Sequence, residues 1–223
     1  MLDWNLIDTV LLDMDGTLLD LHFDNHFWLV HLPKRYAQLH DLSPDTARET
    51  LLAQIESQRG TLNWYCLDYW SDALQLDITD LKREVQDRIA YRPHVQTFLT
   101  QLRQAGLRTV IVTNAHRKSL DLKLALTGLD QYVDRVLSSH DFGRPKEDPD
   151  FWSALQKAEP FDPQRTLLID DSPPVLESAR RFGIRHLLAV LAPDSRQPPR
   201  LEGEFPALHH FDELPSPNLR HIL

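Results

Sequence analysis

The chain has few of the residue types and patterns that mark several common protein classes. Its single cysteine, Cys66, excludes an intrachain disulfide framework and is compatible with a reducing compartment. Its seven glycines form neither a GxGxxG nor a Walker pattern, so we expect no use of NAD or ATP. No apolar run approaches the roughly 18 residues that span a membrane, and Asp3 and Asp8 interrupt the region where a signal peptide would lie. These absences predict a cytoplasmic protein with no membrane partner.

Positive side chains are outnumbered, with 24 Lys and Arg against 33 Asp and Glu and a formal net charge of -9. Because nucleic-acid-binding proteins usually have a basic face, this balance predicts no nucleic-acid partner. A small anionic substrate is still compatible, since a metal ion and one lysine can reverse the local field. The length of 223 residues fits one large domain, or one core domain with a modest insert.

Short apolar runs recur along the chain, with helical patterns between them. Runs that are apolar throughout suit strands buried on both faces of a parallel sheet. They lie at 9–12, 109–112, 133–137, 166–169 and 186–190. Helical stripes between the runs end at Gly106, Gly128 and Gly183. The alternation predicts an α/β fold with a doubly wound, Rossmann-like parallel sheet, and a last strand is expected near 208–211.

One long segment, residues 21–91, interrupts this alternation with helix signals and no strong strand pattern. Ser43-Pro44 predicts the start of one helix and Thr79 the start of another. We therefore predict an all-helical insert, which forms a cap domain. The predicted domains are a core formed by 1–20 and 92–223 and a cap formed by 21–91.

Polar residues follow the carboxyl ends of three predicted strands. They are Asp13 and Asp15, Thr113 and Asn114, and Asp170 and Asp171. Ligands of open α/β sheets bind outside the carboxyl ends of the strands, so the clusters meet if the strands are parallel neighbours. A single aspartate at a strand end is often only a helix cap, but three such clusters together indicate a site.

The four acidic residues suggest a division of roles. Asp13 and Asp15, two residues apart beyond a strand, can serve as a nucleophile and as a general acid and base. With Asp170 and Asp171 beside them, the carboxylates would repel one another unless a hard cation such as Mg²⁺ neutralises them. The sequence therefore predicts Mg²⁺ as the cofactor.

A phosphoryl group bound at this site would also need hydrogen-bond donors and positive charge. Thr113 and Asn114 can donate hydrogen bonds, and Lys146 can supply the charge. A loop lysine is usually solvated, so the interpretation of Lys146 depends on the neighbouring clusters.

The motifs resemble those of the haloacid dehalogenase superfamily, a large group of aspartate-nucleophile phosphatases. They are VLLDMDGTLLD (10–20), VIVTNA (110–115), RPKEDPD (144–150) and LLIDDS (167–172). The resemblance implies that Asp13 attacks phosphorus, and that Asp15 protonates the leaving oxygen and then activates water. It also implies that Thr113 and Lys146 bind the phosphoryl group, with Asn114 in support.

The same resemblance implies a Mg²⁺ site formed by the Asp13 carboxylate, the Asp15 backbone carbonyl and the last acidic motif. Asp171 is expected to bind the metal directly, because it precedes a serine as the metal-binding aspartate does in the family's commoner GDS form. Asp170 would act through water or orient Lys146. The sequence departs from the family in that proline precedes the lysine of the third motif, where Lys-Pro is frequent.

The insert is expected to close over the strand ends and to set the choice of substrate, as helical caps do in the superfamily. Its many aromatic residues form either a stacking surface for a flat ring or the insert's own core. Two stretches, 11–28 and 61–70, resemble the bacterial GMP/IMP nucleotidases of the superfamily, which implies a purine nucleoside monophosphate as substrate. The predicted substrate-binding residues are Asn25, Trp28, Asn63, Trp64 and Asp68. Of these, Asn63 or Asp68 is expected to read the polar edge of the base.

Other functions compete with this one. A sugar-phosphate phosphatase or phosphomutase would use the same chemistry. A dehalogenase would need neither a metal nor an acid at Asp15, and a catalytically silent binding protein would not need every motif residue intact. The sequence leaves open whether the protein is a monomer or a weak dimer.

Overall fold

The computed structural model describes residues 2–217 and contains, within them, one sheet of six parallel strands. The strands are β1 (Thr9–Leu12), β2 (Arg108–Thr113), β3 (Arg135–Ser138), β4 (Thr166–Asp170), β5 (His186–Val190) and β6 (Ala207–Leu208). Their order across the sheet is β3-β2-β1-β4-β5-β6, and neighbouring strands are parallel. The strand order reverses at β1, as in doubly wound sheets, so the predicted fold class is confirmed.

Hydrophobic side chains divide between the two faces of the sheet, because successive strand residues point to opposite sides. Leu12 packs in a core cluster on one face and Leu11 in a cluster on the other, and both are fully buried. Ile111 and Val110 divide in the same way along β2. The continuous apolar runs of the sequence therefore correspond to strands that are covered on both faces.

The insert contributes five helices to the described structure. They are α1 (His22–His26), α2 (Leu32–His40), α3 (Pro44–Ser57), α4 (Leu67–Leu74) and α5 (Ile78–Arg83). A π-helical turn at Phe27–His31 joins α1 to α2. Phe23 and Trp70 lie in a hydrophobic core that belongs to the insert. The all-helical insert is confirmed as part of the fold, whereas the two domain boundaries stay a prediction.

The predicted capping residue of α5, Thr79, is wrong by two positions. Asp77 caps the helix instead: its carboxylate accepts a hydrogen bond from the Asp80 backbone N–H at 2.9 Å, and the helix begins at Ile78. Aspartate is preferred at this position because its side chain satisfies a free N–H group and its charge suits the positive helix end.

Two other local predictions have different outcomes. The start at Ser43-Pro44 is confirmed, since the Ser43 hydroxyl accepts a hydrogen bond from the Thr46 backbone N–H at 3.1 Å. The strand expected at 208–211 is shorter and begins one residue earlier. It is β6, after which the chain forms a 3₁₀ turn at Phe211–Glu213.

Four further helices cover the sheet. They are α6 (Val95–Gln104), α7 (Arg117–Thr127), α8 (Pro149–Ala158) and α9 (Pro173–Phe182). Phe98 of α6 packs on one face, and Phe151 and Trp152 of α8 pack on the other. Across residues 2–217, every helix falls short of the length and apolarity that a membrane crossing needs.

Candidate active site

Three adjacent strands bring the predicted polar residues to one end of the sheet. Asp13 follows β1, Thr113 ends β2 and Asp170 ends β4, with β1 between the other two. The Lys146 side chain reaches this point from the loop before α8 and is only 2% exposed. Its Nζ lies 2.6 Å from Asp13 Oδ1, 2.7 Å from Asp170 Oδ2 and 3.1 Å from the Val112 carbonyl oxygen. One buried ammonium thus binds carboxylates that follow two different strands.

Asn114 fixes the loop that carries this lysine. Its Oδ1 accepts a hydrogen bond from the Lys146 backbone N–H at 2.9 Å, and its Nδ2 donates to Glu147 Oε2 at 2.9 Å. Glu147 Oε1 also accepts a hydrogen bond from the Tyr65 hydroxyl of the insert at 2.6 Å. The lysine reaches Asp13 despite the proline before it, and contacts from both the core and the insert hold its loop.

Three carboxylates form an acidic cluster at the same point. Oxygens of Asp13, Asp170 and Asp171 lie within 4.8 Å of one another. Burial, with the charge of neighbouring carboxylates, raises the pKa of Asp13 to about 7, that of Asp170 to about 6 and that of Asp171 to about 7. Asp13 Oδ2 is buried and has no hydrogen-bond partner among residues 2–217. An unpartnered carboxylate oxygen in such a cluster fits a hard divalent cation.

The Asp171→Asn substitution should stabilise the metal-free protein above neutral pH. Because burial raises the pKa of Asp171 to about 7, the folded chain binds more protons than the unfolded chain between roughly pH 4 and pH 7, and stability falls as pH rises through that window. The asparagine side chain does not ionise, so the variant avoids this loss, and we expect a gain on the order of 4 kcal/mol at pH 8 and little change at pH 4. Urea unfolding in EDTA at both pH values measures the difference. A variant that is less stable than wild type at pH 8 would contradict the argument.

The turn after β1 requires glycine at position 16. Gly16 has a φ of +87°, a region that favours glycine, and a Cβ atom there would lie 2.8 Å from Asp171 Cγ. The Gly16 N–H donates to the Leu19 carbonyl at 2.8 Å and closes the turn. Glycine therefore allows the turn to pack directly against the acidic cluster.

A second charged network, which the sequence analysis missed, lies between the core and the insert. Lys123 of α7 donates to Asp15 Oδ1 at 2.6 Å and to Asp24 Oδ2 at 2.7 Å. Asp24 of α1 also accepts a hydrogen bond from Lys82 of α5 at 2.6 Å. Both lysines are almost fully buried, and their Nζ atoms lie 4.9 Å and 5.2 Å from the centroid of the Phe23 ring. The network joins three helices around one shared carboxylate.

The two carboxylates of this network, Asp15 and Asp24, differ in the direction in which their pKa values are shifted. Burial raises the pKa of Asp15, and the Lys123 ammonium opposes that rise. Burial alone would also raise the pKa of Asp24, but the ammonium groups of Lys123 and Lys82 hold it well below its ordinary value. Asp24 is therefore the anion that both lysines share, while Asp15 is protonated more readily than an ordinary aspartate.

The sequence does contain a signal for this network. Lys123 lies in the apolar stripe of α7 with Leu120 and Leu124, and Lys82 lies one helical turn after the buried Ile78. Lysine is almost never fully buried unless it is paired, so a lysine in a buried stripe indicates an acidic partner in the interior.

The charged clusters open into a cavity of about 1020 Å³ between the core and the insert. Its core side includes Asp13, Asp15, Thr113, Asn114, Lys146, Asp170 and Asp171. Its insert side includes Leu21, Asp24, Asn25, Trp28, Ile55, Arg59, Trp64 and Tyr65. The Arg59 guanidinium lies 5.0 Å from the centroid of the Trp64 ring. The cavity thus has charged and polar residues on its core side and the aromatic residues Trp28 and Trp64, here called the aromatic wall, on its insert side. This combination is typical of a small-molecule site.

Three of the five predicted substrate-binding residues line this cavity: Asn25, Trp28 and Trp64. Asn25 Nδ2 donates to the buried Asp194 Oδ2 at 2.7 Å, so its amide is anchored to the core. The aromatic residues of the insert divide between two places, because Trp70 is buried in its core while Trp28 and Trp64 line the cavity.

Asn63 and Asp68 are not among the described residues that line the cavity. This differs from the expectation that one of them binds the polar edge of the base. Both are exposed: Asn63 donates to Gln58 Oε1 at 3.2 Å, and Asp68 lies 2.6 Å from Lys118 Nζ. Asn63 lies in a 3₁₀ turn, where successive side chains point about 120° apart, so it faces outward while its neighbour lines the cavity.

Residues 7–183 match the haloacid dehalogenase-like hydrolases, so the chain belongs to this family and is a hydrolase, as its motifs predict. A relative from Escherichia coli (strain K12), named GMP/IMP nucleotidase YrfG, is 44% identical over 211 residues, which cover 95% of each chain. A phosphoglycolate phosphatase of Cupriavidus necator is 30% identical over 184 residues, 78% of this chain and 77% of the relative. The solved structure of a HAD phosphatase from Thermococcus onnurineus has a TM-score of 0.75 at 22% identity. The match covers 90% of this chain and 93% of the solved chain, and it shows the shared fold.

Proposed function

We propose that this hydrolase is a Mg²⁺-dependent 5′-nucleotidase, which removes phosphate from purine nucleoside monophosphates through an aspartyl-phosphate on Asp13. The observation that carries the proposal is the buried contact of Lys146 with Asp13 and Asp170, beside a cavity that can hold a nucleotide. Catalysis of phosphoryl transfer depends chiefly on such positioning and on positive charge around the phosphoryl oxygens.

In the proposed first step, one Asp13 oxygen forms a bond to phosphorus while the bond from phosphorus to the leaving ester oxygen breaks. The Lys146 ammonium and the Thr113 hydroxyl bind the phosphoryl oxygens. Thr113 Oγ1 already accepts a hydrogen bond from the Ala115 backbone N–H at 3.0 Å, which leaves its proton available for donation. Asn114 keeps the lysine loop in place.

Asp15 is the proposed general acid and base. It gives its proton to the leaving oxygen and later accepts a proton from the water that attacks phosphorus, which frees phosphate and restores Asp13. Burial, which raises the pKa of Asp15, favours the protonated form that the first step needs. Lys123, at 2.6 Å, holds the orientation of this carboxylate.

Mg²⁺ would be held by Asp13, Asp171 and the backbone carbonyl of Asp15, and when bound it supplies charge neutralisation at the phosphoryl oxygens. The unpartnered Asp13 Oδ2 supports this ligand set. Asp170 already accepts hydrogen bonds from Lys146 and from the Ser172 backbone N–H, at 2.7 Å and 2.9 Å. This supports Asp171 as the direct ligand and Asp170 as the residue that orients the lysine.

The choice of a purine nucleotide is supported by the name of the 44% identical relative and by the aromatic wall of the cavity. Trp28 and Trp64 offer flat apolar surfaces for a base, and the Arg59 guanidinium already lies over Trp64. A sugar-phosphate phosphatase or phosphomutase is the second candidate, since a 30% identical relative is named for a phosphomonoester without a base. The net charge of -9 favours a small substrate over nucleic acid. Cytoplasmic residence and a monomer or weak dimer stay predictions.

Phosphate release from a substrate panel tests the proposal. The panel contains GMP, IMP, AMP, pyrimidine monophosphates and several sugar phosphates, each with Mg²⁺ and with EDTA. We expect release that requires Mg²⁺, with the highest kcat/KM for GMP and IMP. Release of phosphate mainly from sugar phosphates would be consistent with the proposed phosphatase mechanism but would overturn the proposal that purine nucleotides are the substrates.

Matched variants of two neighbouring residues test the role of the aromatic wall. We expect Trp64→Leu to lower kcat/KM for GMP by about 10-fold, because stacking on a base is worth about 1–3 kcal/mol. Asn63→Ala, next to it but exposed, should leave the order of substrates unchanged. If both variants lowered kcat/KM for GMP equally, the aromatic wall would not be what discriminates between bases.

A further inference from the structure

A second group of potential metal ligands lies where the insert meets the core, apart from the acidic cluster. Cys66 precedes α4 in the insert, His116 precedes α7, and His140 follows β3. One ligand atom from each lies within 4.8 Å of the others, and all three side chains are half-buried. The two imidazole rings meet edge to face, with centroids 4.9 Å apart.

The His140 ring has a buried nitrogen without a partner. Its Nε2 has no hydrogen-bond partner in the described part of the chain. A neutral imidazole has one nitrogen that acts as an acceptor, so a ring nitrogen with no donor beside it can offer its lone pair to a metal ion.

Burial of the two imidazoles favours the neutral form that metal binding needs. Burial lowers the pKa of His140 to about 4, and burial likewise lowers the pKa of His116. Neutral rings repel a cation less than imidazolium does and keep a lone pair for it. A buried, unpartnered imidazole nitrogen is costly in a folded protein, and a bound cation would satisfy it.

Cys66 completes a set of three ligands. Its Sγ accepts only a long hydrogen bond from the Tyr69 backbone N–H, at 3.4 Å, at the positive end of α4. The carboxylate of Asp68 lies close by, with Oδ2 3.6 Å from His116 Nε2. Sulfur and imidazole ligands select Zn²⁺ and similar borderline ions, whereas Mg²⁺ prefers oxygen.

We propose that Cys66, His116 and His140 bind one Zn²⁺-type transition-metal ion, at a site separate from the acidic cluster. On binding, the Cys66 thiol releases its proton to water and a sulfur–metal bond forms, while each histidine contributes a neutral nitrogen. Asp68 or a water molecule takes the fourth position of the tetrahedron. Because Cys66 belongs to the insert and the histidines to the core, the ion cross-links the two parts of the chain beside the cavity that His116 lines.

Titration with Co²⁺, a coloured stand-in for Zn²⁺, tests this site in the full-length protein with Mg²⁺ in excess. We expect a near-ultraviolet thiolate-to-cobalt band that saturates at one ion per chain and disappears when Zn²⁺ is added. Cys66→Ser should abolish the band. His140→Gln should weaken binding by about 10-fold or more, since it removes one of three protein ligands. Circular dichroism and thermal melting establish that each variant is folded.

Two controls separate this site from other binding. His40→Gln changes an exposed histidine of the insert, and Asp171→Asn changes the acidic cluster, so both should keep the band and the affinity. A folded wild-type protein without the band would overturn the proposal, as would equal Co²⁺ affinity in wild type and His140→Gln. Neither result depends on the substrate or on the phosphatase reaction.

Discussion

We expect the Asp13→Asn variant to release phosphate at least about 10³-fold more slowly than wild type, the scale of loss seen when a covalent nucleophile is removed. The amide keeps the size of the side chain but has no anionic oxygen to attack phosphorus. Asp13 Oδ1 lies 2.6 Å from Lys146 Nζ, and the lysine keeps Asp170 as a partner in the variant, so the fold should persist. Single-turnover measurement with GMP, Mg²⁺ and saturating enzyme reports the chemical step directly.

An exposed carboxylate provides the control for this variant. Asp72→Asn makes the same chemical change on the surface of α4 and should leave turnover unchanged. If Asp13→Asn retained a tenth of wild-type activity with thermal stability intact, another residue would have to be the nucleophile. If both variants lost activity equally, the loss would come from a general effect on the protein.

The second large effect that we expect is a loss of folding stability in the Asp24→Ala variant. This change leaves the Lys82 ammonium buried without its anion, whereas Lys123 keeps Asp15 as a partner. Breaking a buried ion pair by removing one partner costs about 3–5 kcal/mol, because the remaining charge, here that of Lys82, is neither solvated nor paired. Urea unfolding at pH 7 measures the loss. Glu56→Ala, which breaks an exposed pair with Arg59, should hardly change the unfolding midpoint.

A double variant and a pH series separate this explanation from simple loss of packing. Adding Lys82→Met to Asp24→Ala removes one unpaired charge and should recover part of the lost stability. The pKa of Asp24 is held below its ordinary value, so its contribution is present above about pH 4 and is lost on further acidification. If the double variant were less stable than Asp24→Ala, the loss would not come from uncompensated charge.

The sequence predicted the parts of the molecule that depend on regular repetition. Asp13, Thr113 and Asp170 were expected to meet because each follows an apolar run, and parallel neighbouring strands end at the same edge of a sheet. The position of Lys146 was predicted from the family motif, since a loop lysine on its own has no periodic signal. The helical insert was predicted from the absence of strand patterns together with helix starts such as Ser43.

The contacts between the insert and the core could not be predicted in this way. Helix periodicity gives the buried face of each helix, but it does not give the orientation of the insert relative to the sheet. Asn63 was therefore predicted from the chemistry of its amide and lies on the outside, while Lys82 and Lys123 were overlooked although their burial shapes the site. The sequence gives no signal for the Cys66 cluster, because its histidine neighbours lie 50 and more positions away along the chain.

The hydrogen bond between Tyr65 and Glu147 limits how freely the two parts of this protein can be exchanged. Glu147 adjoins the proposed phosphate-binding lysine and also accepts a hydrogen bond from Asn114, so a single side chain connects the insert to the reaction centre. A chimaera that carried this insert on a related core would need Glu147 as well, or Tyr65 would lose its acceptor. Substrate range in such enzymes would then evolve by paired changes on both sides of the cavity rather than by transplanting the helical segment alone.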